Sequence, residues 1–271
     1  MIDQILNKYI NNERGTDFAL YNLDSIRKLL EVLGNPHNRL KTVHNAGTNG
    51  KGTTSYIIAR VLQNCGYKTG LFISPHLLRL NERISINSAD ITDEDLLYYI
   101  KKTDSAAEAS ELSSTYFDIL TAAALCYFND KQVDIAVIET GLGGRLDSTN
   151  VIVPEVSIIT DISMDHSHIL GDTVEKITSE KCGIIKLGIP VITTNTEHEI
   201  LSVIKEYAFS QKTELLEIYK SFNAENLHYE NGLLNFLFSF KGCKPFIINL
   251  PLFPEHQVKN TSASAAALFL L

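Results

Sequence analysis

The run Leu40-Lys41-Thr42-Val43-His44-Asn45-Ala46-Gly47-Thr48-Asn49-Gly50-Lys51-Gly52-Thr53-Thr54 passes from an apolar-rich strand, through a glycine-rich turn, into a helix. The strand is expected over Leu40 to Ala46. The helix is expected over Thr53 to Asn64, with Ile57, Ile58, Val61 and Leu62 inward and Gly66 just beyond its end. A second strand follows over Thr69 to Ile73, so the segment is a βαβ unit and predicts two parallel strands. Gly47, Gly50 and Gly52 let the backbone turn tightly with amide N–H groups inward. The helix N-terminus adds partial positive charge, and Lys51 can neutralise β- and γ-phosphate oxygens. A hydroxyl from Thr53 or Thr54 can cap the helix, bond a phosphate or reach Mg²⁺. These are the parts of a P-loop, with two departures from G-x-x-x-x-G-K-[ST]. Only Thr48 and Asn49 separate the first two glycines, and Gly52 stands between Lys51 and Thr53. A glycine-rich turn with an exposed lysine is the plain alternative; the order strand, loop, helix favours phosphate binding.

The alternation continues in both directions. Helices are expected over Ser25 to Leu33, Asp93 to Lys102, Thr115 to Asn129 and Thr173 to Ile185; strands over Val133 to Ile138, Val156 to Thr160 and Pro190 to Thr194. Alternating strands and helices imply an α/β fold with a doubly wound, mostly parallel sheet. From about residue 214 the texture changes. Leu227 to Tyr229, Leu233 to Phe240 and Phe246 to Leu250 predict short antiparallel strands, with Asn231-Gly232 as a hairpin turn and residues 214–250 as a small β appendage. Ser262 to Leu271 is Ala- and Leu-rich, and a helix that apolar needs a partner. This divides the chain into a P-loop domain over 1–254 and a linker or start of a further domain over 255–271.

The 271 residues are 44% hydrophobic, enough for a sizeable core, and 24 basic against 32 acidic residues give a formal charge of −8. That sign argues against nucleic acid or acidic membranes as partners. Cys65, Cys126, Cys182 and Cys243 form no C-x-x-C pair, and the apolar or helical contexts of three of them suggest small buried hydrophobes in a reducing compartment. Met1-Ile2-Asp3-Gln4 opens no apolar signal region, and no run reaches the length of a membrane span. A soluble, cytoplasmic, monomeric protein is expected.

In an open parallel sheet ligands bind at the carboxyl ends of the strands. The strand after the P-loop helix ends in Ser74-Pro75-His76; the strand from Val133 ends in Glu139; the strand from Val156 leads to Asp161 and then Asp165-His166. Hydroxyl, carboxylate and imidazole therefore converge on the edge that carries the phosphate loop, and a carboxylate ending an apolar strand is suited to Mg²⁺. Each residue also has a structural alternative: Glu139 capping a strand end, His166 satisfying a loop carbonyl, Ser74-Pro75 forming a turn.

The phosphate loop Gly47 to Thr53 resembles that of folylpolyglutamate and dihydrofolate synthases, relatives of the Mur ligases. So do Ser74-Pro75-His76-Leu77, Asn81-Glu82-Arg83-Ile84, Glu139-Thr140-Gly141-Leu142-Gly143-Gly144-Arg145-Leu146-Asp147, Asp165-His166, Leu170-Gly171-Asp172-Thr173, Glu180 to Lys186, and His256-Gln257 with Asn260. The set runs in order over almost the whole chain, and Gly52 points to the folate branch. The resemblance implies an ATP- and Mg²⁺-dependent ligase that joins L-glutamate to a folate or dihydropteroate carboxylate through an acyl phosphate. It implies that Gly47, Thr48, Asn49, Gly50, Lys51, Gly52, Thr53 and Asn260 hold the nucleotide. Ser74, Glu139 and His166 would ligate two Mg²⁺ ions, with Lys181 as a carbamate; Lys51, His166 and Lys181 would serve catalysis. Ser74, Pro75, His76, Gly143, Gly144 and Arg145 would border the pterin substrate. It also implies a second, Rossmann-like domain beyond this stretch. The rival readings are a Mur-branch peptide ligase, a non-catalytic nucleotide-binding fragment and a small-molecule kinase.

Overall fold

The structure, a computed structural model, describes residues 1–10, 22–165, 167–240, 244–251 and 256–271. The chain begins with α1 (Ile2–Leu6) and α2 (Asp24–Val32), then β1 (Thr42–Ala46), α3 (Lys51–Asn64) and β2 (Thr69–Phe72). A short hairpin, β3 (Ile84–Ile86) and β4 (Ala89–Asp90), precedes α4 (Asp93–Ala109), α5 (Tyr116–Asp130), β5 (Ile135–Glu139) and β6 (Val156–Ile159). There follow α6 (Ser167–Leu170), α7 (Val174–Cys182), β7 (Val191–Thr193), α8 (His198–Ser210), β8 (Leu215–Glu217) and α9 (Ile218–Ser221). The chain closes with β9 (Phe222–Glu230), β10 (Leu233–Phe240), β11 (Phe246–Leu250) and α10 (His256–Leu270).

The main sheet runs β4-β3-β2-β5-β1-β6-β7-β8. The pairs from β2 to β8 are parallel, and β3 and β4 add an antiparallel edge. The doubly wound reading therefore holds. Its reason is visible in β5, where Ala136 and Ile138 join the core with α2, α4 and α5 while Ile135 and Val137 join the core with α3 and α10. A strand buried on both faces reads as a continuous apolar run, as this one does.

Local chemistry sets the helix ends. Thr115 accepts the Asp118 N–H and Asp118 accepts the Thr115 N–H, a capping box that starts α5. Thr92 and Thr173 cap α4 and α7 in the same sense, accepting from Asp95 and Lys176. Helix α3 starts two residues earlier than periodicity suggests. Gly50, at φ 87°, is its N-cap, and Thr54 N–H donates to Gly50 O at 2.9 Å.

The small sheet, β11-β10-β9, begins at Phe222, since Leu215–Glu217 pairs with β7 in the main sheet. Its Leu234, Phe236 and Phe238 share one core with α3, α10 and the main sheet. The apolar C-terminal helix thus has an intramolecular partner, and the Ser264 hydroxyl donates to Thr54 O of α3 at 3.2 Å. The expected division at 254/255 lies outside the described residues, as does Cys243; Cys126 and Cys182 are buried, but Cys65 is exposed. Among the described residues no helix is long and apolar enough to cross a membrane.

Candidate active site

The order β2-β5-β1-β6 arranges the groups along the carboxyl edge: Ser74 after β2, Glu139 ending β5, the glycine loop after β1, Asp161 after β6. The loop is braced from three sides. The Thr48 and Asn49 amides donate to Asp161 O at 2.8 and 3.1 Å, which ties the loop to the strand beside it. Those two amides are thereby committed; the Lys51, Gly52 and Thr53 amides of the helix N-terminus remain to face an anion. A side chain at Gly47 would place its Cβ 1.9 Å from Thr160 Oγ1, and one at Gly50 2.2 Å from Asn260 Oδ1. Asn260, on α10, therefore packs directly against the loop, its amide donating to Gln257 Oε1 at 3.0 Å. Thr54 is buried and its hydroxyl has no partner among the described residues, which leaves Thr53 as the accessible one.

Two lysines converge on one carbonyl. Lys51 Nζ donates to Gly47 O at 3.0 Å and to Thr48 O at 3.3 Å; Lys181 Nζ, from the last turn of α7, donates to Gly47 O at 2.8 Å. Burial pulls the Lys181 ammonium down to about 7, the charge of Lys51 adds to the effect, and Asp165 and Asp147 oppose it. Glu139 is 4% exposed and accepts the Ser74 N–H at 3.2 Å. Burial pushes its carboxyl up to about 7, against the pull of Lys51 and the Ser74 amide. A Cβ at Gly52 would stand 3.5 Å from Glu139 Oε2, so the loop and this carboxylate share one space.

Several supports were not evident from sequence. Asn45, opposite Glu139 in the β1–β5 register, donates through its amide to Lys51 O at 2.8 Å and Ser55 Oγ at 3.1 Å, fixing the start of α3. The local signal is an amide two residues before the loop. Asp147 accepts the Leu142 and Thr149 amides and the Thr149 hydroxyl; that hydroxyl also meets Nε2 of buried His44 at 2.9 Å. Gly144 permits close packing, since its Cβ would lie 2.7 Å from Glu180 O and 2.8 Å from Lys181 O. Arg145 pairs with Glu180 at 2.8 Å, so these candidate substrate residues also position α7 and its lysine. The Phe117 ring lies under Gly141, where a Cβ would be 2.7 Å away. Pro75 follows Ser74 through a cis peptide, and His76 Nδ1 accepts from Arg83 Nε at 2.9 Å. His166 lies outside the described residues.

The site suits a hard cation beside a polyphosphate. Glu139 is a desolvated carboxylate, drawn towards ionisation by Lys51 and facing the bare backbone of Gly52. Among the described residues no three His, Cys, Asp or Glu side chains converge on one point, so phosphate, hydroxyl or water oxygens would complete the shell.

Comparison with known proteins identifies the family. A dihydrofolate synthase/folylpolyglutamate synthase of Bacillus subtilis is 44% identical over 191 residues, covering 69% of this chain and 44% of the relative. A folylpolyglutamate synthase of Lacticaseibacillus casei is 35% identical over 240 residues, covering 87% of this chain and 56% of the relative. The chain thus spans about half the length of these curated relatives. A solved FPGS–AMPPCP–folate complex superposes with a TM-score of 0.91 at 32% identity, over 99% of this chain and 66% of that one. Residues 46–268 match the Mur ligase middle domain, and the chain belongs to that family.

Proposed function

We propose that the full-length protein is an ATP-dependent ligase that joins L-glutamate to the carboxylate of a folate or dihydropteroate, acting as a cytoplasmic monomer. The observation that carries the reading is the shared space of the glycine loop, Lys51 and buried Glu139. The likeness to an FPGS complex holding AMPPCP and folate supports the choice of substrates.

In this reading the acceptor carboxylate attacks the γ-phosphorus of ATP, the bond to the β-phosphate oxygen breaks, and ADP departs. The acyl phosphate is then attacked by the glutamate amine at its carbonyl carbon, and inorganic phosphate leaves with the C–O electron pair. Lys51 and the amides at the start of α3 offset the repulsion between two anions in the first step. Asn260 and Thr53 flank the nucleotide. Glu139 and Ser74, with His166, would hold Mg²⁺, two ions in all. Bound there, the metal withdraws charge from the phosphoryl oxygens. Pro75, His76, Gly143, Gly144 and Arg145 border the acceptor. We retain the division at 254/255, with α10 as the connector to a second domain.

We further infer that Lys181 works as a carbamate. Its amine is buried, and burial favours the uncharged form that can react with CO₂. The ammonium first gives up one proton; addition of CO₂ to the neutral amine then forms an N–C bond and releases a second, so a cation becomes an anionic ligand. Intact mass under native conditions reads the modification, and an unmodified lysine at saturating bicarbonate counts against it.

The deciding assay uses protein carrying the full length of its relatives, ATP, Mg²⁺ and labelled glutamate, with pteroate-type or muramoyl acceptors offered separately. Label entering only the muramoyl acceptor rejects the folate reading. A stable phosphorylated product formed without glutamate marks a kinase.

A further inference from the structure

Two adjacent residues of the 3₁₀ turn Leu80–Arg83 grip the segment that follows Ser74. The Glu82 carboxylate accepts three consecutive backbone amides: Leu77 at 2.7 Å, Leu78 at 3.0 Å and Arg79 at 2.8 Å. Those bonds hold the carboxyl below its ordinary range. A carboxylate that satisfies three amides in a row fixes a turn whose own side chains contribute little, since Leu77 and Leu78 are 92% and 88% exposed. Beneath the turn, Arg83 is 2% exposed, and its Nε–H donates to His76 Nδ1. A guanidinium only donates, so Nδ1 must be the acceptor and the ring proton lies on Nε2. Nε2 has no partner among the described residues and is not among the buried unpaired atoms. The ring is locked at one nitrogen and open at the other. It sits two residues from Ser74, whose own amide is bonded to Glu139.

We propose that Glu82 and Arg83 are positioning residues that make His76 a fixed Nε2–H donor to the carboxylate of the acyl acceptor. This rests on the ligase reading and adds to it the group that orients the attacking oxygen. An oriented donor on one carboxylate oxygen leaves the other aimed at the γ-phosphorus, and part of the angular search is made before binding. Asp93 adds a brace, accepting from Arg79 at 2.7 Å and from the Asn81 amide at 2.9 Å.

The test uses the full-length protein with ¹⁵N-labelled histidine and three substitutions at one site. His76→Gln keeps a donor near the Nε2 position, His76→Asn moves it to the Nδ1 position, and His76→Phe removes it. Wild type should show the ¹⁵N signature of the Nε2–H tautomer for His76, shifting when acceptor is added but not with AMPPCP alone. KM for the acceptor, or kcat, should worsen by about tenfold to a hundredfold in the Asn and Phe variants. It should stay within about threefold of wild type in the Gln variant, with AMPPCP affinity unchanged in all three. Glu82→Gln should weaken acceptor use and Glu82→Asp restore part of it, a rescue that general loss of folding does not give. An Nδ1–H tautomer, or equal kinetics for the Gln and Phe variants, overturns the proposal. If wild type transfers no glutamate to any pteroate-type acceptor while the tautomer is as stated, the ligase reading has failed instead.

Discussion

At the scale of single residues, the chain keeps ionisable groups where burial opposes their charge. His44 is fully buried on β1, its Nε2 bonded to Thr149 and its Nδ1 without a partner among the described residues. Burial and the nearby Lys186 lower it from 6.5 to about 3. Below pH 6.5 the unfolded chain takes up this proton and the folded chain does not, so stability falls as pH drops through that window. The slope from this group is about 1.4 kcal/mol per pH unit. Chemical denaturation between pH 4 and 7 should show it, and His44→Asn should flatten it; equal slopes would falsify the assignment. Glu139 has the opposite sign. Its folded value, about 7, lies above the ordinary 4.5, so the proton's contribution is complete below 4.5 and is lost as pH rises through 7. In metal-free protein above pH 7, Glu139→Gln should therefore raise the unfolding free energy by up to about 3 kcal/mol. The same change should abolish Mg²⁺-dependent nucleotide binding. A variant that is no more stable, yet binds nucleotide normally, removes Glu139 from the site.

At the scale of elements, the site depends on close backbone approaches. The loop after β5 touches the last turn of α7 through Gly144, and α7 carries Lys181 to Gly47 O. Gly144→Ala would set a methyl group 2.7 to 3.0 Å from the Glu180 and Lys181 backbone, so α7 must shift. We expect a loss of about 1–3 kcal/mol in stability and a fall in turnover larger than that loss explains, because Lys181 moves with its helix. Thermal unfolding and steady-state rates measured together decide it. Unchanged turnover at lowered stability would detach Lys181 from the chemistry. Residues 198–210 and the β3–β4 hairpin have no counterpart among the elements expected from sequence. Helix α8 starts at His198, its N-cap Glu197 making no side-chain capping bond, and β3 has three residues, too few for a period to register.

At the scale of the molecule, the site is built from strands far apart in the chain and closed by its last helix. Asn260 on α10 reaches Gly50 and Ser264 reaches α3, so the glycine loop and the helix packing are one structure, and the proposed nucleotide site is part of it. Binding should therefore stabilise the whole domain. AMPPCP with Mg²⁺ at 100 times its Kd should add about 2.7 kcal/mol to the unfolding free energy, and Lys51→Ala should erase most of that gain. A thermal shift that survives in Lys51→Ala would place the nucleotide elsewhere.

The glycine loop, its lysine and the carboxylate ending β5 were legible in the linear sequence because each is a local event: a turn that needs glycine, a strand that ends, a helix that begins. Tertiary structure alone decided which strand ends are neighbours, and so that Glu139 stands between Ser74 and the loop. It alone decided that Asn45 braces α3, that Lys51 and Lys181 meet at one carbonyl, and that Arg83 locks His76. These contacts join residues whose spacing carries no period. They are fixed by sheet order and by the few backbone approaches that glycine allows, and neither can be read from neighbours in the chain.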